Sequence, residues 1–157
     1  MTPIRLDTPP VVRRAAREDL PALTALLKAL FAIEEDFVFD EQKQGRGILL
    51  MLDGCGKHRS MLVADLSGEV VGMCSAQILV STAEGCEAAI IEDVVVRGDC
   101  RGRGIGTAMM DAMGQWAEGR GVSRLQLLAD CDNSAGIEFY RKRGWGTTKL
   151  ICLRKRL

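Results

Sequence analysis

Between an apolar run and a helical pattern lies the stretch Arg101-Gly102-Arg103-Gly104-Ile105-Gly106-Thr107. Its three glycines let backbone approach a ligand without obstruction by Cβ. A helix that starts here presents first-turn amides with no internal acceptor, at the positive end of its dipole. Such a corner suits a phosphate or pyrophosphate, and Arg101 and Arg103 add charge-assisted donors. The dinucleotide fingerprint does not fit, because its third glycine position is Thr107. A P-loop does not fit either, because no Gly-Lys-Ser/Thr occurs. What fits is Arg-x-x-Gly-x-Gly, from Arg101 through Gly104 to Gly106. A strand-to-helix turn that uses glycine only for close packing would explain the same residues without a ligand.

Two acids interrupt the apolar run Ala88-Ala-Ile-Ile-Glu-Asp-Val-Val-Val96. A carboxylate inside such a strand is rare without a purpose. Glu92 is the first candidate for a general base, and strand periodicity puts it on one face with Val94 and Val96. Asp93 is expected on the opposite face and competes for the role. A strand-edge ion pair is the alternative for both. Tyr140 is the chain's single tyrosine, within Asn133-Ser-Ala-Gly-Ile-Glu-Phe-Tyr-Arg-Lys-Arg-Gly-Trp145. A phenol near 10 could protonate a thiolate leaving group whose thiol titrates at about 8.5. A core aromatic is the plainer alternative. Glu34, Glu35, Asp36, Asp40 and Glu41 could attract a cation or simply flank helices as solvated charge. Cys131 is expected to be a buried, inert thiol, with an acyl-cysteine intermediate as the alternative, and His58 a surface residue.

The elements that must position these residues follow from periodicity. Residues Val11 to Ala16 read as a first strand. Leu20, Leu23, Leu26, Leu27 and Leu30 recur at helical spacing, which predicts a helix over 19–32 with Pro21 in its first turn. A second helix is expected over 40–52, stopping at Asp53-Gly54. Strands over 60–66 and 70–81 flank Ser67-Gly68, a hairpin signature. The run over 88–97 reads as a strand covered on both faces. A helix over 104–118 follows, with Ile105, Ala108, Met109, Ala112, Met113 and Trp116 as its apolar stripe. A buried strand over 125–129, a short helix over 134–142 capped by Gly144, and a last strand over 147–153 complete the order. Met1 to Pro10 reads as a loose lead-in, with no secretory pattern.

The chain has 157 residues, which is the size of one domain. Lys plus Arg and Asp plus Glu are 21 each, and aromatics are 4%. Balanced charge and few aromatics argue against nucleic-acid partners. No apolar run is long enough to span a membrane. Six cysteines without a C-x-x-C pair, beside one histidine, give zinc poor support and suit reduced thiols in a cytoplasmic protein.

Arg-x-x-Gly-x-Gly after a valine-rich strand, followed by Asn133-x-x-Gly136-x-x-Phe139-Tyr140 ahead of Gly144-Trp145, resembles the GNAT superfamily of acyl-CoA-dependent N-acyltransferases. The resemblance runs from Val11 to Leu153. It implies a single α/β domain over residues 1–157, with a central mixed, largely antiparallel sheet flanked by helices. It implies acetyl-CoA as co-substrate and no metal. In that family's pattern the backbone of Val94, Val95 and Val96 pairs with the pantetheine arm. Arg101, Gly102, Arg103, Gly104, Ile105, Gly106 and Thr107 hold the pyrophosphate. Asn133, Ser134, Gly136 and Tyr140 line the cofactor, Tyr140 acts as general acid, and Glu92 acts as a base through water. Ile91-Glu92-Asp93 and Phe139-Tyr-Arg-Lys-Arg-Gly144 look most like the spermidine/spermine and thialysine N-acetyltransferases. By that likeness Glu34, Glu35 and Glu92 would meet a cationic amine, small-molecule or peptide, and the protein would be a homodimer. The basic end Arg154-Lys155-Arg156 departs from that group. A non-catalytic acyl-CoA sensor of the same fold is the alternative.

Overall fold

The computed structural model describes residues 8–157. Strand β1 (Val11–Arg14) leads through a 3-10 turn into helix α1 (Leu20–Phe31). Arg13 fixes that entry. Its Nη1 and Nη2 donate to Asp19 Oδ2 and Oδ1 at 2.8 and 2.9 Å, and the Ala16 amide donates to Asp19 Oδ2 at 2.8 Å. This bidentate clamp holds the Asp19 carboxyl below the usual carboxylate range. Helix α1 turns Leu23, Leu26 and Leu27 inward, as its spacing predicts. Helix α2 (Glu41–Asp53) is capped by Asp40, whose side chain accepts from the Lys43 amide. Asp40 is thus spent on capping.

Strands β2 (Arg59–Leu66), β3 (Glu69–Ser81) and β4 (Cys86–Val96) form an antiparallel meander with β1, and β5 (Leu125–Leu127) completes a sheet of order β1-β2-β3-β4-β5. Ser67 and Gly68 both take positive φ, 56° and 88°, in the tight β2–β3 turn. Helix α3 (Ile105–Glu118) buries Ile105, Met109, Met110, Met113 and Ala117. It covers the sheet face that carries Gly72, beside the Met109 side chain, and Cys74. The opposite face, with Met61, Val63, Met73 and Val95, packs with Leu23, Leu26 and Leu27 of α1 and Ile48 of α2. The apolar run of β4 is therefore covered on both faces, as expected. All six cysteines are free; Cys131 is exposed, not buried as expected, and burial pushes the Cys74 thiol up to about 12.

The chain divides into two compact units, one ending at Gln126 and one over Leu127–Leu157. In the second, helix α4 (Ser134–Arg141) is followed by Gly144 at φ 84°. Two strand expectations fail near this end. Strand β5 spans three residues and is half-buried, not fully buried. No strand forms over 147–153, where Leu150, Ile151 and Leu153 are each at least 80% exposed. An extended segment holds as a strand only against a hydrogen-bonding neighbour, and none pairs with these residues. The lead-in expected at Met1 to Pro10 falls for the most part outside the described residues. Among the described residues no helix is long and apolar enough to cross a membrane.

Candidate active site

The centre of the site is an irregularity in β4. Met73 pairs with Val95 and Ser75 with Glu92, so Asp93 and Val94 together stand opposite Cys74 alone. This is a β-bulge. Asp93 sits in it at φ 54°, a left-handed conformation for a residue inside a strand. The extra residue reverses the alternation. Glu92 shares a face with its partner Ser75, and therefore with Met61, Met73 and Val95, not with Val96, which pairs with Gly72 on the α3 side. Simple period-two counting from Val96 places Glu92 on the wrong face, while Asp93 does lie on the face opposite Val96. The Ser75 hydroxyl lies 3.2 Å from the Glu92 carbonyl oxygen and 3.3 Å from Asp93 Oδ2, so it shares its proton between the two acceptors. Both acids thus belong to the α1–α2 side of the sheet.

Their environments differ. Glu92 is exposed and Asp93 half-buried, while Ser75 is buried. Burial of the Asp93 carboxyl, reinforced by the Glu92 charge, lifts it to about 6 against the opposing Ser75 hydrogen bond. Sequence reasoning missed Ser75. Its signal was a hydroxyl within the apolar run Val70 to Ala76 of β3.

The glycine corner lies just beyond β4. Gly102 and Gly104 hold φ values of 75° and 76°, and a Cβ on either would meet nothing within 4 Å. The corner is open and shaped by glycine's conformational freedom, not by close packing. Ala108 donates to the Gly104 carbonyl at 3.0 Å as the first closed turn of α3. The amides of Ile105 and Gly106 precede it and have no carbonyl inside the helix to take. These features fit a pyrophosphate cradle. Arg101 Nε donates to the Val96 carbonyl at 3.0 Å, tying the corner to the end of β4, and Arg103 is half-buried beside it in sequence. Between α1 and α2 the Phe37 ring stacks on Phe31 at 5.1 Å, folding the acidic loop back. Glu35 and Asp36 are exposed there and Glu34 is half-buried.

In the second unit, Asn133 Oδ1 caps α4 by accepting from the Gly136 amide at 3.0 Å. Asn133, Ser134 and Gly136 are therefore joined in one helix start. Tyr140 is half-buried, edge-on to Phe139 at 5.2 Å and Trp145 at 5.8 Å. The basic run at the end of α4 is partly neutralised, since Arg141 Nε and Nη2 each donate to Glu138 at 2.7 Å. The Arg143 guanidinium stacks 3.6 Å from the centroid of Phe139.

A valine-rich strand feeding an open glycine corner is the arrangement the resemblance anticipates, the bulge being an addition, and residues 27–145 match the acetyltransferase (GNAT) family. The chain belongs to the GNAT acetyltransferase family. An uncharacterized N-acetyltransferase of Methanocaldococcus jannaschii is 26% identical over 89% of this chain. The chain spans 62% of that relative's length. An aminoglycoside acetyltransferase from an uncultured soil metagenomic sample, solved in complex with sisomicin, has the same fold, with a TM-score of 0.76 and 21% identity over 98% of this chain and 99% of its own. So does a predicted acetyltransferase from Clostridium acetobutylicum solved with acetyl-CoA, with a TM-score of 0.75 and 19% identity over 92% and 96% of the two chains. The GNAT assignment places the α/β architecture in a known fold. None of these matches singles out the spermidine/spermine and thialysine group.

Proposed function

We propose that this protein transfers an acetyl group from acetyl-CoA to a primary amine. The observation that carries the proposal is the continuity of the β4 bulge, with its two carboxylates, and the open glycine corner at the start of α3. One handles the protons of an amine and the other suits a pyrophosphate. The relatives support it: one is solved with acetyl-CoA and another with an aminoglycoside.

The residues divide the work as follows. The amides of Gly102 to Thr107, with Arg101 and Arg103, hold the pyrophosphate, and the backbone of Val94 to Val96 lies along the pantetheine arm. Asn133, Ser134 and Gly136 contribute from the start of α4. Bound acetyl-CoA supplies an acetyl thioester. An alkyl ammonium near 10.4 is deprotonated to roughly one part in a few thousand at pH 7. Glu92 takes a proton from it through a water molecule, which frees the nitrogen lone pair for attack. The amine's second proton goes to solvent as the amide forms, and Tyr140 gives its phenolic proton to the departing sulfur. Glu34, Glu35 and Glu92 favour a cationic acceptor. We extend the proposal to a cytoplasmic homodimer, which light scattering checks as twice 17.1 kDa.

Release of CoA thiol tests the reaction. The panel comprises spermidine, lysine, thialysine, an aminoglycoside, arylamines and lysine-bearing peptides. Turnover is expected with a cationic member, and Tyr140→Phe lowers kcat by roughly 10²–10⁴-fold. A Tyr140→Phe rate within twofold of wild type removes Tyr140 from the mechanism. Acetyl-CoA binding with no turnover on any amine overturns the transferase assignment in favour of an acyl-CoA sensor.

A further inference from the structure

Two non-glycine residues among those described have positive φ, and they differ in kind. Ser67 is in a hairpin turn, where the geometry demands it. Asp93 is in mid-strand, where a regular ladder would serve at lower cost. A left-handed L-residue costs on the order of 1–2 kcal/mol, and such strain persists where the surroundings enforce it and function uses it. Here the strain does one definable thing. It brings a second carboxylate onto the face that already carries Glu92.

The surroundings of that carboxylate are sparse in charge. From β4 the charged group acting on it is Glu92, of like sign. From β3 it meets Ser75, whose neighbour across the β2–β3 ladder is Met61. Helix α1 turns Leu23, Leu26, Leu27 and Thr24 inward, and its Lys28 amine stands 5.9 Å over the Phe39 ring. The Glu92 charge on the same face disfavours ionisation of Asp93, which therefore keeps its proton to higher pH than an isolated aspartate.

We propose that Glu92 and Asp93 act as one carboxyl pair, in which Asp93 is the resting place of the proton removed from the acceptor amine and Ser75 is its positioning residue. The inference rests on the transferase assignment and deepens it. The step balances simply. An N–H bond of the ammonium breaks, its electron pair stays on nitrogen, and an O–H bond forms on the pair, settling on Asp93. Exposed Glu92 is the entry point through water. The proton returns to solvent by the same route before the next turnover. The upward displacement of Asp93 to about 6 puts its proton affinity close to neutral pH, where a base is most effective.

Two measurements on the full chain test this together: a carboxyl-carbon NMR titration with labelled aspartate, and the pH profile of kcat/KM for an amine that turns over. The wild type is expected to show an aspartate titrating near 6 that is missing in Asp93→Asn. Glu92→Gln removes the like charge, so the Asp93 titration and the acid limb of kcat/KM both move to lower pH. Ser75→Ala removes a hydrogen bond to the ionised form, so both move up. Asp93→Asn lowers kcat/KM at pH 7 by roughly 10²–10⁴-fold and abolishes that limb. An Asp93 titration in the ordinary aspartate range overturns the pair. So does a limb that vanishes in Glu92→Gln while Asp93 still titrates, which would leave Glu92 as the sole base. Absence of wild-type turnover with any amine overturns the transferase assignment itself, and the role given to Asp93 with it, even if the NMR titration is seen.

Discussion

Asp93 has a cost that is visible away from catalysis. Its folded-state value of about 6 lies above the ordinary 3.8. Between those values the folded chain holds a proton that the unfolded chain has lost. Stability therefore falls as pH rises through this window and stays lower above it. The displacement corresponds to at most about 3 kcal/mol at neutral pH, because each unit is worth about 1.4 kcal/mol. Asparagine tolerates the left-handed conformation as well as aspartate does and carries no charge. Asp93→Asn is therefore expected to raise unfolding stability at pH 8 by about 1–3 kcal/mol and to change it little at pH 4, as read by urea titration at the two pH values. Equal effects at both pH values would mean that charge burial is not what the aspartate contributes. A carboxyl whose burial weakens the fold at neutral pH, held in a strained mid-strand conformation, is the mark of a residue used for chemistry.

At the scale of elements, the glycine corner and the bulge were unequally legible. The corner was readable because its signals are local: glycine where φ is positive, a helix start, and arginines beside it. Gly104 stands at φ 76° with open space around its missing Cβ. Gly104→Ala therefore costs only backbone strain, roughly 1–2 kcal/mol, and the chain stays folded. The strained loop can no longer aim its amides, so acetyl-CoA affinity is expected to fall at least tenfold by calorimetry. Gly114→Ala, in the interior of α3 and equally open, is the control: it should leave affinity unchanged and stabilise the helix by about 1 kcal/mol. The bulge could not be read, because it is a property of the β3–β4 ladder. Nothing in Glu92-Asp93-Val94 says that two residues will face Cys74. Periodicity thus placed β4 correctly and Asp93 opposite Val96, but it put Glu92 on the wrong face and so kept the two acids apart. The expected last strand over 147–153 failed for a related reason. Its β-branched and apolar residues describe a segment able to pair, and pairing depends on a neighbour that sequence spacing does not supply.

The whole molecule is neutral, with 21 basic and 21 acidic side chains, so it has no net field to draw in a cationic substrate. Any attraction must come from local concentration of charge. Glu35 and Asp36 are exposed on the loop between α1 and α2, with Glu34 beside them and Glu92 exposed on the sheet face that these helices cover. Asp40, by contrast, is engaged in capping α2 and adds less. Screening separates local steering from net charge, because the Debye length falls from about 10 Å at 0.1 M salt to about 3 Å at 1 M. For a polycationic acceptor, KM is expected to rise several-fold between these concentrations while kcat holds. Replacing Glu34, Glu35 and Asp36 by their amides should raise KM at low salt and flatten its salt dependence. Because the net charge is zero, an unaltered dependence in that triple variant would place the attracting charge elsewhere, with Glu92 as the next residue to neutralise. An acceptor whose only charge is its reacting amine would show little salt dependence in either protein. The slope against salt therefore reports how many charges the true substrate carries, before its structure is known.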